Sequence, residues 1–167
     1  MAKRTKEMAK KEVKTNAMRI LDTMKIPYKH HEYECKEFVD GIHIADSLGL
    51  PHEKVFNTLV TVGAEHNYYV FVVPIPEELD FKKCARAVGV KNVEMIPAKD
   101  INKVTGYIRG GTTSIGMKKN YVTKVAIQAK EQETIYISGG RIGSQLELSP
   151  DDLLKADNGE YADIIRD

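Results

Sequence analysis

Long apolar runs are missing from this sequence of 167 residues. A membrane-spanning helix needs ~18–20 consecutive apolar residues, and the longest run, Tyr68 to Ile75, is broken by Pro74. Cysteine is scarce. Cys35 and Cys84 are the only two, which rules out a disulfide framework and fits a reducing cytoplasm. No apolar segment of about 7–15 residues follows the basic N-terminus, so no secretory signal is expected. Charge of one sign is nearly absent overall, at +1 net, but it is unevenly spread. Residues 1–14 carry +4 and residues 145–167 carry −5. Such asymmetry marks either a nucleic-acid-facing end and a repelling end, or two solvated termini.

The usual catalytic signatures are missing too. The five histidines form no H-E-x-x-H pattern and there is no C-x-x-C, so no metal site is expected. His30 and His31 are adjacent on a probable strand and point to opposite faces. Without a G-x-S-x-G elbow, a serine hydrolase has no foothold.

What is present is a core-forming chain. Hydrophobic residues make up 42% and charged residues 29%, and a domain near 150 residues buries ~70% of its unfolded surface. Val13, Ala17, Ile20, Leu21 and Met24 recur at helical spacing and predict a helix closed by Pro27. Tyr28 to Glu34 reads as a strand, and Ile42 to Leu48 as a helix before Gly49. Thr58 to Gly63 and Tyr68 to Pro74 predict a hairpin, the second run so apolar that it should lie centrally. Asp80 caps a helix over Phe81 to Val88, with Gly89 at its C-terminal cap. A strand at Val93 to Ile96 and a short helix from Ala98 to Val104 follow. Further strands are expected at Val122 to Gln128, Thr134 to Ser138 and Gln145 to Leu148. Ser149-Pro150-Asp151-Asp152 starts a helix, and Tyr161 to Ile165 closes as a strand. The elements do not alternate as βα units. The fold class expected is α+β: a basic leader over residues 1–12, then a single domain over 13–167 on a mixed, curved sheet.

Two glycine clusters stand out. Thr105 to Lys119 holds Gly106, Gly110, Gly111 and Gly116 among hydroxyl and basic residues. Glycines let backbone N–H groups approach a bound oxygen and form an oxyanion nest. Gly111 to Gly116 has Walker spacing, but Met117 stands where that motif needs Lys, and a Rossmann fingerprint fails as well. The alternative is a surface turn. Ser138 to Ser144 is the second cluster, directly after a strand. Together the loops suggest a cleft, with Arg109 and Arg141 available for phosphate.

Residues Ile26-Pro27-Tyr28 with Tyr33, Val55-Phe56-Asn57-Thr58-Leu59, Val93-Glu94-Met95, Thr105-Gly-Tyr-Ile-Arg-Gly-Gly111 and Glu133-Thr-Ile-Tyr-Ile-Ser-Gly-Gly140 run in order through the chain. In these blocks the sequence resembles the YbaK/EbsC group of free-standing aminoacyl-tRNA editing proteins, relatives of the editing domain of bacterial prolyl-tRNA synthetase. The resemblance implies a pseudo-barrel of mixed strands flanked by helices, and deacylation of mischarged tRNA, typically cysteinyl-tRNA with the proline anticodon. It implies no side-chain nucleophile: the substrate's thiol or a water attacks the ester. The backbone amides of Gly110 and Gly111 would polarise the carbonyl, with Asn57 beside them. Tyr33 and Ser138 would bind ribose or aminoacyl group, Tyr107 would stack on the terminal base, and Thr58, Arg109, Gly139 and Arg141 complete the substrate-binding set. The implied partners are tRNA, through its 3′ aminoacyl end, and prolyl-tRNA synthetase. Neither a membrane, DNA, a metal nor another cofactor is expected.

One position departs from that group, whose members usually carry Lys where this chain has Asn57. A charge-assisted hydrogen bond is about twice as strong as a neutral one. Lys54 or Arg109 replaces the cation, or activity is weak, altered or lost. From residues alone Asn57 reads as a turn or cap before the following strand. Three functions remain open: a trans-editing hydrolase, a binding protein for aminoacyl-tRNA ends or a synthetase, and a small-molecule hydrolase.

Overall fold

Side-chain caps open three of the helices in the computed structural model of the chain, which describes residues 13–33 and 41–167. The leader expected over residues 1–12 lies outside the described residues. Helix α1 spans Asn16–Thr23, with Thr15 as N-cap accepting from the Met18 N–H at 3.3 Å. It does not run on to Pro27. Lys25 adopts φ +60°, and the Ile26 N–H reaches back to the Leu21 carbonyl at 2.9 Å. This left-handed stop leaves Ile26 against the core beside Leu21.

Strand β1 is Lys29–Glu32, and helix α2 is Gly41–Leu48. The hairpin forms as expected from β2, Phe56–Val62, and β3, Tyr68–Pro74, paired antiparallel from Phe56↔Pro74 to Val62↔Tyr68. Helix α3, Phe81–Val88, begins at Asp80, whose carboxylate accepts from Lys82 and Lys83 N–H, and ends at Gly89 with φ +75°. Then come β4, Glu94–Met95, and α4, Ile101–Thr105. Strands β5, Val122–Ala126, β6, Ile135–Ser138, and β7, Ser144–Leu148, lead to helix α5, Pro150–Asp157. Ser149 caps α5 by accepting from the Asp152 N–H at 3.2 Å. The last strand, β8, is Glu160–Ala162, displaced from the Tyr161 to Ile165 expected. Ile164 and Ile165 instead bury their side chains in the core.

The strands make two open sheets rather than the pseudo-barrel the resemblance implied. One has the order β4-β2-β3-β5-β8, and the other is β1-β7-β6. In the larger, β3 pairs antiparallel with β2 and parallel with β5, so the sheet is mixed. Its central position requires apolar residues on both faces, and Val70 to Pro74 are all buried. A parallel bridge between Val55 and Tyr136 joins the sheets where β2 begins. The core packs Leu21, Phe71, Ile115, Ile137, Leu146 and Ile164 between these layers. The class, α+β in one domain on a mixed sheet, stands as the sequence indicates, with a second, antiparallel sheet beside it.

Candidate active site

The junction of the two sheets opens as a cleft of about 330 Å³. The start of β2 supplies Asn57 and Thr58, the N-terminus of α2 supplies Gly41, the end of β6 Ser138 and the start of β7 Gln145. Arg109, Gly110 and Thr112 enter from the loop after α4, while Leu59, Met95, Ile96 and Ile101 form an apolar floor. No His, Cys, Asp or Glu lies among the described lining residues, and Arg109 is their only charged side chain.

Asn57 is not a turn residue. It sits inside β2 opposite Val73, half-buried. A Cβ on Gly41 would meet Asn57 Oδ1 at 3.1 Å and Ile75 Cγ2 at 2.6 Å, so only glycine lets α2 pass this close. Lys54 lies on the 3₁₀ turn His52–Lys54 and does not line the cleft. Of the two cations expected to stand in for the missing lysine, the structure brings Arg109 alone to the site.

Residues 108–111 form a tight turn in which the Gly111 N–H donates to the Ile108 carbonyl at 2.9 Å. Gly110 takes φ +86° at its third position, a conformation strained for any residue with a Cβ. The turn separates the two glycines expected to act together. Gly110 lines the cleft. The Gly111 amide is spent inside the turn, and its residue packs against the Arg141 backbone instead. Only Gly110 keeps the expected place.

Several other expectations move. Tyr107 is buried, 8% exposed, and its hydroxyl donates to the Ile115 carbonyl at 2.6 Å. Burial raises its phenol pKa, and the ring has no free face for stacking. Arg141 turns away from the cleft: its Nη1 donates to the Val13 carbonyl at 3.0 Å and its Nη2 lies 3.8 Å from Glu32. Gly139 is held by the Ser144 carbonyl and accepts the Thr15 hydroxyl at 2.5 Å, outside the lining. Tyr33 is half-buried beside the same loop, donating its N–H to the Gly143 carbonyl at 3.0 Å, and is not a lining residue. Ser138 and Thr58 do line the cleft, Ser138 Oγ accepting from the Gly140 N–H at 3.2 Å.

Gln145 went unnoticed in the sequence. It is directly opposite Ser138 in the β6–β7 register, so both side chains share a face. Although only 4% exposed, it lines the cleft, and its Oε1 has no hydrogen-bond partner among the described residues. A glutamine near the start of a strand, just after a glycine loop, was the available signal. Further along the 106–121 loop, Ser114 donates to the buried Asp157 Oδ2 at 2.8 Å, and the Gly159 N–H donates to Oδ1 at 2.8 Å. Burial pushes that carboxyl up to about 7.

Comparison with known proteins places this geometry. Residues 42–156 match the family model of the aminoacyl-tRNA editing domain. EbsC of Enterococcus faecalis, named as a candidate Cys-tRNA(Pro)/Cys-tRNA(Cys) deacylase, is 45% identical over 160 residues, spanning 94% of this chain and 98% of its own. Among solved structures, a candidate trans-editing enzyme for prolyl-tRNA synthetase has TM-score 0.79 at 20% identity, over 92% of this chain and 99% of that one. A hypothetical protein has TM-score 0.80 at 22% identity, over 89% and 98% of the two chains. At those identities the two structures speak for the fold. The family match and the identity with EbsC carry more: the chain belongs to the aminoacyl-tRNA editing domain family.

Proposed function

We propose that the protein is a trans-editing hydrolase that deacylates misacylated tRNA, cysteinyl-tRNA bearing the proline anticodon being its main substrate. One observation carries this reading. The cleft offers a cation, carboxamides, hydroxyls and a turn amide, but no described histidine or carboxylate to activate a nucleophile. Such a site suits an ester that is already activated and needs only holding and polarising.

In the bound state the Arg109 guanidinium takes the terminal phosphate, and Ser138 and Thr58 hydroxyls hold ribose oxygens. The Gly110 N–H points at the developing oxyanion, and Asn57 supplies neutral donors where relatives in the group carry a charge. Water, or the substrate's own thiol, adds to the carbonyl carbon. The bond to the ribose oxygen breaks, and that oxygen takes up the proton given by the attacking group. Prolyl-tRNA synthetase, the source of the mischarged product, is the partner, and the cytoplasm is the compartment.

The test is deacylation of cysteinyl-, alanyl- and seryl-tRNA at enzyme excess. Release of cysteine faster than of alanine or serine supports the reading. Asn57 favours a second one, a protein that binds aminoacyl ends without efficient turnover; tight binding with no release of any amino acid selects it.

A further inference from the structure

Acidic residues are missing from one long stretch of the chain. Asp and Glu number 24 against 25 Lys and Arg, yet none occurs from Ile101 to Lys130, which carries Lys103, Arg109, Lys118, Lys119, Lys124 and Lys130. Two of these are engaged elsewhere: Lys124 pairs with Glu160 at 2.7 Å, and the Lys130 ammonium lies 5.0 Å from the centre of the Tyr161 ring. Others gather beside the cleft. Lys99, Lys103 and Gly106 are spaced i, i+4 and i+7 along α4 and the 3₁₀ turn before it, which is one face of a helix. Gly106 has no side chain, and Lys118 covers its place on that face, with Cγ 3.3 Å from where a Cβ on Gly106 would stand. The Lys118 N–H donates to the Thr105 carbonyl at 3.1 Å and the Tyr121 hydroxyl to the Val104 carbonyl at 2.7 Å, so residues 118–121 are tied to α4. Lys118 and Lys119 also line a hollow in which the only carboxyl among the described lining residues is Asp157. That group is 5% exposed and accepts from Ser114 and the Gly159 N–H. Lys99, Lys103, Lys118 and Lys119 are all exposed, and no described residue pairs with them. Ala98 and Ile101 line the cleft. The stripe of lysines thus starts at the cleft rim and follows α4 away from it.

A row of unpaired cations suits a polyanion with regularly spaced charges. The cleft, about 330 Å³, is the size of a site for one small ligand, so the rest of a tRNA has to cross its rim. We infer that this stripe is the track on which the acceptor stem of tRNA lies, with Lys99, Lys103, Lys118 and Lys119 on its phosphates. The inference rests on the editing function proposed above and adds where the tRNA lies outside the cleft. Phosphate contacts position a nucleic acid without reading its sequence, so the stripe governs affinity rather than the bond-breaking step.

The probe is an uncharged RNA minihelix, an acceptor-stem duplex with its unpaired 3′ end, whose binding is followed by fluorescence anisotropy over a salt series. Lys99→Gln/Lys103→Gln and Lys118→Gln/Lys119→Gln should each weaken binding and lower the log–log salt slope by about 1–2, at ~0.7–0.9 per phosphate contact. With cysteinyl-tRNA as substrate, both should raise KM while kcat holds. Lys29→Gln/Lys82→Gln removes the same charge from β1 and α3 and should leave the slope as it is. An equal fall in that control would assign the effect to net charge and overturn the inference. An unchanged slope in both stripe variants would overturn it too, and would leave an acidic protein surface as the partner of the stripe. If the stripe variants lose slope on the minihelix while wild type releases no amino acid from any tRNA, the editing reading fails and the track stands.

Discussion

A Cβ placed on Gly111 would stand 2.8 Å from the Arg141 Cα and 2.9 Å from its carbonyl carbon. The two glycine-rich loops thus touch backbone to backbone, and this contact sets the position of the turn that carries Arg109 and Gly110. The loops pack as one unit because Gly111 has no side chain at the point where it meets the Arg141 backbone.

Substituting Gly111 should consequently behave as a packing defect. Gly111→Ala forces the loops apart at a cost of about 1–3 kcal/mol, and activity should fall with stability. Gly110→Ala costs about 1–2 kcal/mol for a left-handed residue, and it also alters the loop where it lines the cleft. Thermal melts run beside deacylation rates check both. A Gly111→Ala protein with unchanged melting temperature contradicts the close approach.

Asn57, inside β2 and lining the cleft, is where a change of charge tests the strength of the site. A hydrogen bond to a charged group contributes ~1.5–3 kcal/mol against ~1 for a neutral one, so Asn57→Lys should raise single-turnover rate or tRNA binding roughly 5–30-fold. Arg109→Ala should weaken tRNA binding and reduce its salt dependence by about one phosphate contact, ~0.7–0.9 in log–log slope. Lys54→Ala, outside the lining, should do neither. A wild type crippled by Lys54→Ala and indifferent to Arg109→Ala reverses the assignment.

Tyr107 serves the fold. Tyr107→Phe leaves the buried Ile115 carbonyl without its donor, which should lower stability by about 1–3 kcal/mol. The affinity for aminoacyl-adenosine analogues should not change, because the ring lies outside the cleft. Urea unfolding and calorimetry measure the two quantities independently.

Asp157 should make stability depend on pH. Its carboxyl has an ordinary value of 3.8, raised by burial to about 7 in the folded protein. Between those values the folded state binds more protons than the unfolded chain. Its contribution is therefore complete below about pH 4 and is lost as pH rises through about 7. At 1.36 kcal/mol per unit the loss has an upper bound of ~4 kcal/mol. Asp157→Asn, with its amide donating to the Ser114 hydroxyl, should flatten that slope. Melting temperatures from pH 4 to 8 for both proteins test this, and parallel curves would remove Asp157 as the source.

Local chemistry was legible from the residues alone. Asp80, Ser149 with Pro150, Gly89 and Gly106 mark helix ends because a cap is satisfied by groups within a few positions of itself. The β2–β3 hairpin and the buried β3 follow from alternation and from an apolar run, and the family motifs are likewise contiguous. Non-local relations were not legible. α1 stops at a left-handed Lys25, a residue that carries no such signal by type. Gly110 and Gly111 look equivalent in sequence, yet Gly110 lines the cleft while a turn hydrogen bond consumes the amide of Gly111. Tyr107 and Arg141 are drawn away by the Ile115 and Val13 carbonyls, and Gln145 is brought opposite Ser138 by strand register. The sequence determined the elements, the α+β class and the family, since these depend on neighbours along the chain. Tertiary structure alone decided that the sheets stay open and which polar groups remain unpaired at their junction. Each hydrogen bond made elsewhere in the fold removes a donor or acceptor that the site would otherwise hold.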